Sequence, residues 1–184
     1  MRLGPRQLRA RARAVELLVL DVDGVLTDGG LYYGPAGEAL KRFDVKDGHA
    51  LVLAHLTGLR VAVLTARRSQ IVQRRAAELW IDPVMQGFKD KRAGLAQLLK
   101  RTRVRPEAVA YVGDDINDLA PMEAVGLSAC PADAAAEVRR SCHYLARARG
   151  GRGAVREIVE LLLKAQGRWG PAVALMRAGT PPRG

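Results

Sequence analysis

The stretch "LLVLDVDGVLTDGG", residues 17–30, decides how the rest of the chain is read. Leu17 to Leu20 form an unbroken apolar run, the pattern of a strand buried on both faces. Asp21, Asp23 and Asp28 stand directly at its mouth. Burying a strand needs no carboxylates, so three of them at its carboxyl end point to chemistry. Asp28 follows Thr27 and precedes two glycines, which also suits a turn-capping role.

Outward from this run, apolar segments recur at 60–64, 82–85, 108–112, 125–129 and 143–146. Amphipathic segments lie between them, over 47–57, 69–79, 89–102, 115–124, 133–140 and 152–166. The alternation predicts an α/β fold, a Rossmann-like doubly wound parallel sheet with helices on both faces. Ser69 and Asp133 read as N-caps, and Gly58 and Gly167 as C-terminal stops. The segment "GGLYYGPAGEALKRFDV" breaks the pattern and predicts a β-hairpin flap over about residues 29–46. Such a flap would stand over the carboxyl ends of the strands, where open α/β sheets bind ligands. No insertion is large enough for a cap domain. The expected organisation is a basic extension over 1–14, a catalytic domain over 15–167 and a flexible tail over 168–184.

The formal net charge of +11 suggests a polyanion partner until it is divided along the chain. Residues 1–13 hold five Arg and no acid, and residues 139–184 hold ten basic against two acidic residues. The middle carries fifteen basic and seventeen acidic residues. Aromatic residues are only 4%, so the stacking platforms of single-strand binders are mostly missing. Nucleic acid is therefore not the expected partner. Cys130 and Cys142 lack any metal-ligand spacing and are expected to be buried free thiols. No apolar run reaches the roughly 18 residues of a membrane span, and the basic start does not lead into a signal-peptide core. A soluble, cytoplasmic protein without membrane attachment is expected.

Four polar motifs end or follow apolar runs: Asp21-x-Asp23, Thr65 after "VAVL", Lys91 in "QGFKDK", and Asp114–Asp115-x-x-Asp118 after "AVAYV". Parallel strands would bring Asp21, Thr65 and Asp114 to one edge. Two carboxylates at close range repel, and a hard divalent cation resolves the conflict. Oxygen donors with no His or Cys favour Mg²⁺ over zinc. Lys91 adds a cation and Thr65 a hydroxyl donor, a set suited to the oxygens of a phosphoryl group in transfer. Asp21 is then the candidate nucleophile and Asp23 the candidate acid/base.

The order "DVDGVLTD", "VLTAR", Lys91 and "GDDINDLAPM" resembles the four motifs of the haloacid-dehalogenase superfamily of phosphotransferases. With "FDVKDG" and "GGRGAVREIVELLLKAQG", residues 15–167 are similar to the capless sugar-acid phosphatases of that superfamily, which act on 3-deoxy-D-manno-octulosonate (KDO) 8-phosphate or acylneuraminate 9-phosphate. The resemblance implies Asp21, Asp114 and the main-chain carbonyl of Asp23 as metal contacts, with Asp115 and Asp118 in support. It implies substrate contacts at Asp23, Asp44, Val45, Lys46, Asp47, Gly48, Arg67, Arg75 and Lys91. It further implies a phosphorylated sugar acid as substrate, a role in lipopolysaccharide biosynthesis, and a homotetramer in which a neighbour closes each site. Asp44 stands where the family usually has Asn, and Val52 where a basic residue is common. "GGRGAVRE" also resembles an anion-binding helix start.

Three other functions use parts of this set. A phospho-accepting receiver domain also clusters Asp, Thr and Lys, but carries its acceptor on the third strand. A binding or regulatory protein could keep the fold and use its basic termini on polyanions. A phosphatase for a different small ester would keep the chemistry and change the substrate.

Overall fold

The computed structural model describes residues 2–179. Helix α1 (Pro5–Arg13) leads into β1 (Leu17–Leu20). The hairpin follows, as β2 (Tyr32–Gly34) and β3 (Gly37–Leu40). Next come α2 (Val45–Leu56), β4 (Arg60–Thr65), α3 (Gln70–Glu78), β5 (Val84–Gln86) and α4 (Lys91–Thr102). Then β6 (Val109–Val112) is followed by a 3-10 turn at Ile116–Asp118 that runs into α5 (Leu119–Glu123). The last elements are β7 (Leu127–Cys130), α6 (Ala136–Ser141), β8 (Tyr144–Leu145), α7 (Ala154–Ala165) and α8 (Trp169–Arg177).

Six strands pair in parallel in the order β5-β4-β1-β6-β7-β8. β1 is central, with Leu17–Leu20 in register with Arg60–Val63 on one side and Val109–Val112 on the other. The pleat sends Leu17 and Val19 into a layer with Leu95 and Leu98 of α4, Met122 of α5 and Val138 of α6. It sends Leu18 and Leu20 into a second layer with Leu51 of α2, Val72 of α3, and Ile158 and Leu162 of α7. The sheet is thus covered on both faces, which is why its central strand is apolar throughout. The chain builds β4 and β5 on one side of β1 and β6, β7 and β8 on the other. Strand order reverses at β1, and a crevice opens at its carboxyl end.

The hairpin is a separate two-stranded sheet whose turn is Pro35–Ala36, and Thr27 bridges Phe43 at its foot. No cap domain is present among the described residues. Cys130 and Cys142 are buried free thiols, as expected. Ser69 caps α3 by accepting from Val72 N. Gly58 and Gly167 adopt the positive φ angles expected of helix stops, +79° and +71°.

Three expectations need correction. The basic segment 1–14 contains α1, which packs on the core through Leu8 and Ala12, and Gln166 donates to the carbonyls of Ala12 and Val15 at 3.2 and 2.8 Å. In place of a loose end from 168, Trp169–Arg177 is helical, with Ala172 buried and Trp169 under the side chains of Arg156 and Lys164. Residues 180–184 of the expected tail lie outside the described residues. Asp133 caps no helix, since α6 starts at Ala136; its carboxylate instead holds Gly150 N at 2.9 Å and Arg149 at 3.2 Å.

A buried carboxylate joins α2 to α7. Gly153 heads α7 without a side chain to cap it, and Asp47 supplies the cap from the neighbouring helix, accepting from Gly153 N at 3.1 Å and Arg156 N at 2.7 Å. The backbone donors of "GGRGAVRE" are therefore engaged by the protein itself, and the anion-binding reading of that segment does not hold. Asp47→Ala removes the cap and leaves buried N–H groups unpaired, so a loss of about 2 kcal/mol in unfolding free energy is expected from urea titration. An unchanged midpoint and slope would contradict the capping role.

Candidate active site

The loop after β1 builds the crevice. Asp21 N donates to Val112 O at 3.0 Å, prolonging the parallel ladder by one residue and fixing the Asp21 side chain at the strand end. Thr65 closes β4, and Asp114 follows β6 after Gly113. Lys91 is the first residue of α4, whose N-cap Asp90 accepts from Ala93 N at 3.0 Å. Asp21, Asp23, Thr65, Arg67, Lys91, Asp114 and Asp115 line one cleft of about 240 Å³. Asn117, not singled out in the sequence, also lines it.

Beneath the cleft, buried Lys91 donates to Asp21 Oδ2 and to Asp118 Oδ1, each at 2.6 Å. Asp118 is itself fully buried and accepts from the Tyr111 hydroxyl at 2.8 Å and from Asp114 N at 3.1 Å. Burial opposes the charge of Lys91, but the carboxylates of Asp21 and Asp118 outweigh it and hold the ammonium above its usual range. One cation faces three carboxylates. Burial, with the nearby Asp118 charge, raises Asp21 to about 6. Burial and then the charges of Asp21 and Asp118 raise Asp114 to about 8.

Asp21 Oδ1 is buried and has no hydrogen-bond partner. Ligand oxygens of Asp21, Asp114 and Asp118 lie within 4.8 Å of one another. Asp118 has both oxygens engaged, by Lys91 and Tyr111 on one side and by backbone N–H groups on the other. An ion would therefore be held by Asp21 and Asp114, an all-oxygen set that fits a hard divalent cation. Gly24 guards this arrangement. Its φ is +84°, and a Cβ there would stand 2.0 Å from Asp114 Oδ2.

Asp23 lies between two cations. Lys41, buried at the foot of the flap, donates to Asp23 Oδ1 and pairs with Glu38 Oε1 at 3.0 Å. Burial opposes its charge, and the bonds to Asp23 and Glu38 more than offset this, raising its pKa. Arg67 Nε is 3.7 Å from Asp23 Oδ2. Lys41 carries no motif of its own, standing beside Arg42 between Leu40 and Phe43 as an ordinary basic pair; only the three-residue spacing from Glu38 hinted at an ion pair. Tyr111 was hidden inside an apolar strand.

The remaining sequence-predicted residues form a second group off the cleft. Asp44 caps α2, accepting from Lys46 N at 2.7 Å and Asp47 N at 3.3 Å. Asn caps equally well, which explains how Asp is accommodated here. Val45 is 77% exposed. Gly48 lies against Arg75, since a Cβ there would be 2.3 Å from that guanidinium, and Arg75 also stacks on Phe43 and pairs with Glu78. Val52 is half-buried against the core. Asp28 accepts from Gly30 N at 3.3 Å and pairs with Arg42 at 3.4 Å, a turn-holding role.

A parallel sheet doubly wound about β1, with aspartates at the ends of β1 and β6, defines a hydrolase class. The haloacid dehalogenase-like hydrolase family matches residues 37–126, and the chain belongs to it. Among its relatives is the 3-deoxy-D-manno-octulosonate 8-phosphate phosphatase KdsC of Escherichia coli (strain K12), 46% identical over 86% of this chain and 85% of that protein. The crystal structure of the Yersinia pestis 3-deoxy-D-manno-octulosonate 8-phosphate phosphatase superposes with a TM-score of 0.86 at 42% identity, covering 88% of each chain. That of the Moraxella catarrhalis phosphatase, solved with magnesium ion, phosphate ion and KDO, gives 0.90 at 35% identity, covering 94% of this chain and 99% of that one. The chain is accordingly an enzyme, a phosphoric monoester hydrolase similar to these phosphatases.

Two outcomes follow from the geometry. Gly24→Ala drives Asp114 aside, so divalent-ion affinity measured by calorimetry should fall by at least about tenfold, as for loss of a supporting contact; unaltered affinity contradicts the packing argument. In chelator-treated protein, Asp21 and Asp114 have folded pKa values above the unfolded one near 4. Their contribution to stability is complete below that value and is lost as pH rises through about 6 and then about 8. Wild type should therefore lose thermal stability relative to Asp114→Asn between pH 5 and 9, scanned by calorimetry. Wild-type stability that holds constant or rises relative to Asp114→Asn over that range contradicts the raised pKa values.

Proposed function

We propose that the chain is a Mg²⁺-dependent phosphomonoesterase that hydrolyses KDO 8-phosphate, or a closely related sugar-acid phosphate, through a phosphorylated aspartate. The observation that carries this reading is Asp21: a buried carboxylate with one oxygen on Lys91 and the other unpartnered, facing Asp114 across the cleft. Bound Mg²⁺ would neutralise the excess carboxylate charge and polarise the phosphoryl group.

In the first step an Asp21 oxygen attacks phosphorus and the bond from phosphorus to the sugar oxygen breaks. The electron pair leaves with that oxygen, which takes a proton from the Asp23 carboxyl. In the second step Asp23 accepts a proton from water as the water oxygen attacks phosphorus. The bond to Asp21 breaks, and inorganic phosphate and free Asp21 result. Thr65 and Lys91 hold phosphoryl oxygens, while Asp118 and Tyr111 keep Lys91 in place. Arg67 and the rim of the cleft receive the sugar acid.

The substrate contacts expected at Asp44, Val45, Lys46 and Arg75 lie off the cleft within one chain, which supports their presentation to a neighbour's cleft in a homotetramer, whereas Asp47 and Gly48 are buried within their own chain. Leu31, Tyr32, Tyr33, Leu40 and Val45 expose large apolar side chains around the flap, a surface that such a neighbour would cover. Among the described residues no helix is long and apolar enough to cross a membrane.

The decisive test is a phosphatase screen over sugar-acid phosphates, nucleotides and hexose phosphates with excess Mg²⁺. KDO 8-phosphate or a related sugar acid is expected to give the highest kcat/KM, and a strong nucleotide preference would overturn the substrate assignment. Asp21→Asn should abolish turnover with the fold intact by circular dichroism; undiminished turnover removes the nucleophile assignment. EDTA should stop the reaction and Mg²⁺ restore it.

A further inference from the structure

The flap carries a charge that the two steps above leave unused. Lys41 follows β3 directly, its side chain 1% exposed, with the ammonium on Asp23 Oδ1 and on Glu38 Oε1 at 3.0 Å. Glu38 belongs to β3 and also accepts from the Ser69 hydroxyl, which fastens the hairpin to the start of α3. At the other oxygen of Asp23 stands Arg67, which donates to the Tyr33 hydroxyl of β2 at 2.5 Å. Each strand of the hairpin therefore governs one cation, and the two cations face the two oxygens of one carboxylate.

A buried ammonium is unfavourable unless it is well paired, and a buried ion pair is seldom worth more than an apolar substitute. Fold stability alone is a poor reason for Lys41. Its geometric consequence is clearer. Asp23 lies on an irregular loop with two rotatable side-chain torsions, and the Lys41 contact selects one orientation of its carboxyl group.

We propose that Lys41 is a positioning residue for the proton transfer performed by Asp23, so that seating of the flap and alignment of the acid/base are one event. No bond forms or breaks at Lys41. The proton passes from the Asp23 carboxyl to the departing oxygen as its bond to phosphorus breaks, and Lys41 sets where that carboxyl stands. The inference rests on the phosphatase reading.

The test compares kcat/KM of wild type and Lys41→Met, with saturating Mg²⁺, on two esters. One is an alkyl phosphate, KDO 8-phosphate, whose alkoxide must be protonated to leave. The other is p-nitrophenyl phosphate, whose phenolate leaves without a proton. Because kcat/KM reports steps up to the first phosphoryl transfer, the expected loss is about 10²-fold for the alkyl ester and less than about tenfold for the aryl ester. Lys41→Arg should recover part of the alkyl activity. Glu38→Gln keeps Lys41 and loosens only its flap side; it should show the same asymmetry at smaller size, including when Lys41→Met does not fold. Equal losses on the two esters, or none, overturn the proposal. Failure of wild type on both esters would instead remove the phosphatase reading, so the two failures are separable.

Discussion

The site is organised by one buried cation, Lys91, held 2.6 Å from both Asp21 and Asp118. It joins the end of β1 to the turn after β6 from the start of a helix on the sheet's face. An ammonium can satisfy two carboxylates in charge terms only in part, and Asp114 stands beside them. The deficit leaves Asp21 Oδ1 buried and without a partner, a costly state unless a further cation is supplied. This local imbalance is the feature on which the proposed metal site and the proposed nucleophile rest.

Around this centre the fold performs two separable tasks. The sheet fixes what must not move: Asp21 by the ladder to Val112, Thr65 at the last residue of β4, and Asp114 by the hydrogen bond to Asp118. The hairpin handles what must be set for each turnover, through Lys41 and Arg67 at Asp23. The carboxyl-terminal glycines buttress the loop between them. A Cβ on Gly150 would lie 1.8 Å from Gly24 O, so the turn before α7 must press directly against the backbone beside Asp23. Asp47 in turn caps that helix, which makes it part of the scaffold under the loop and not a lining residue of its own chain's cleft.

Much of this was legible in the sequence because parallel strands convert distance along the chain into proximity at one edge. Apolar runs located all six main strands, and the polar residues ending or following those of β1, β4 and β6 located the cleft. The misses have physical reasons. α1 turns only Leu8 and Ala12 to the core, too narrow a stripe among its four arginines to register as a core-facing helix. α8 contains Gly170–Pro171, which reads as a breaker, yet proline is tolerated in a first turn where N–H groups have no helical partner. Asp133 has the composition of a cap but finds the backbone of Gly150 first. Lys41, Tyr111 and the cap by Asp47 depend on contacts between distant segments, to which local pattern is blind.

The central claim is that Asp21 and Asp114 hold one dication that the protein's own charges leave wanting. Calorimetric titration of chelator-treated protein with Mg²⁺ at pH 7, in two buffers of different ionisation enthalpy, tests it most directly. With Asp114 at about 8, binding must displace its proton. One ion per chain should bind with release of about one proton, and Asp114→Asn should bind far more weakly with almost none. Full-strength binding by that variant, or no binding by wild type, would contradict the account.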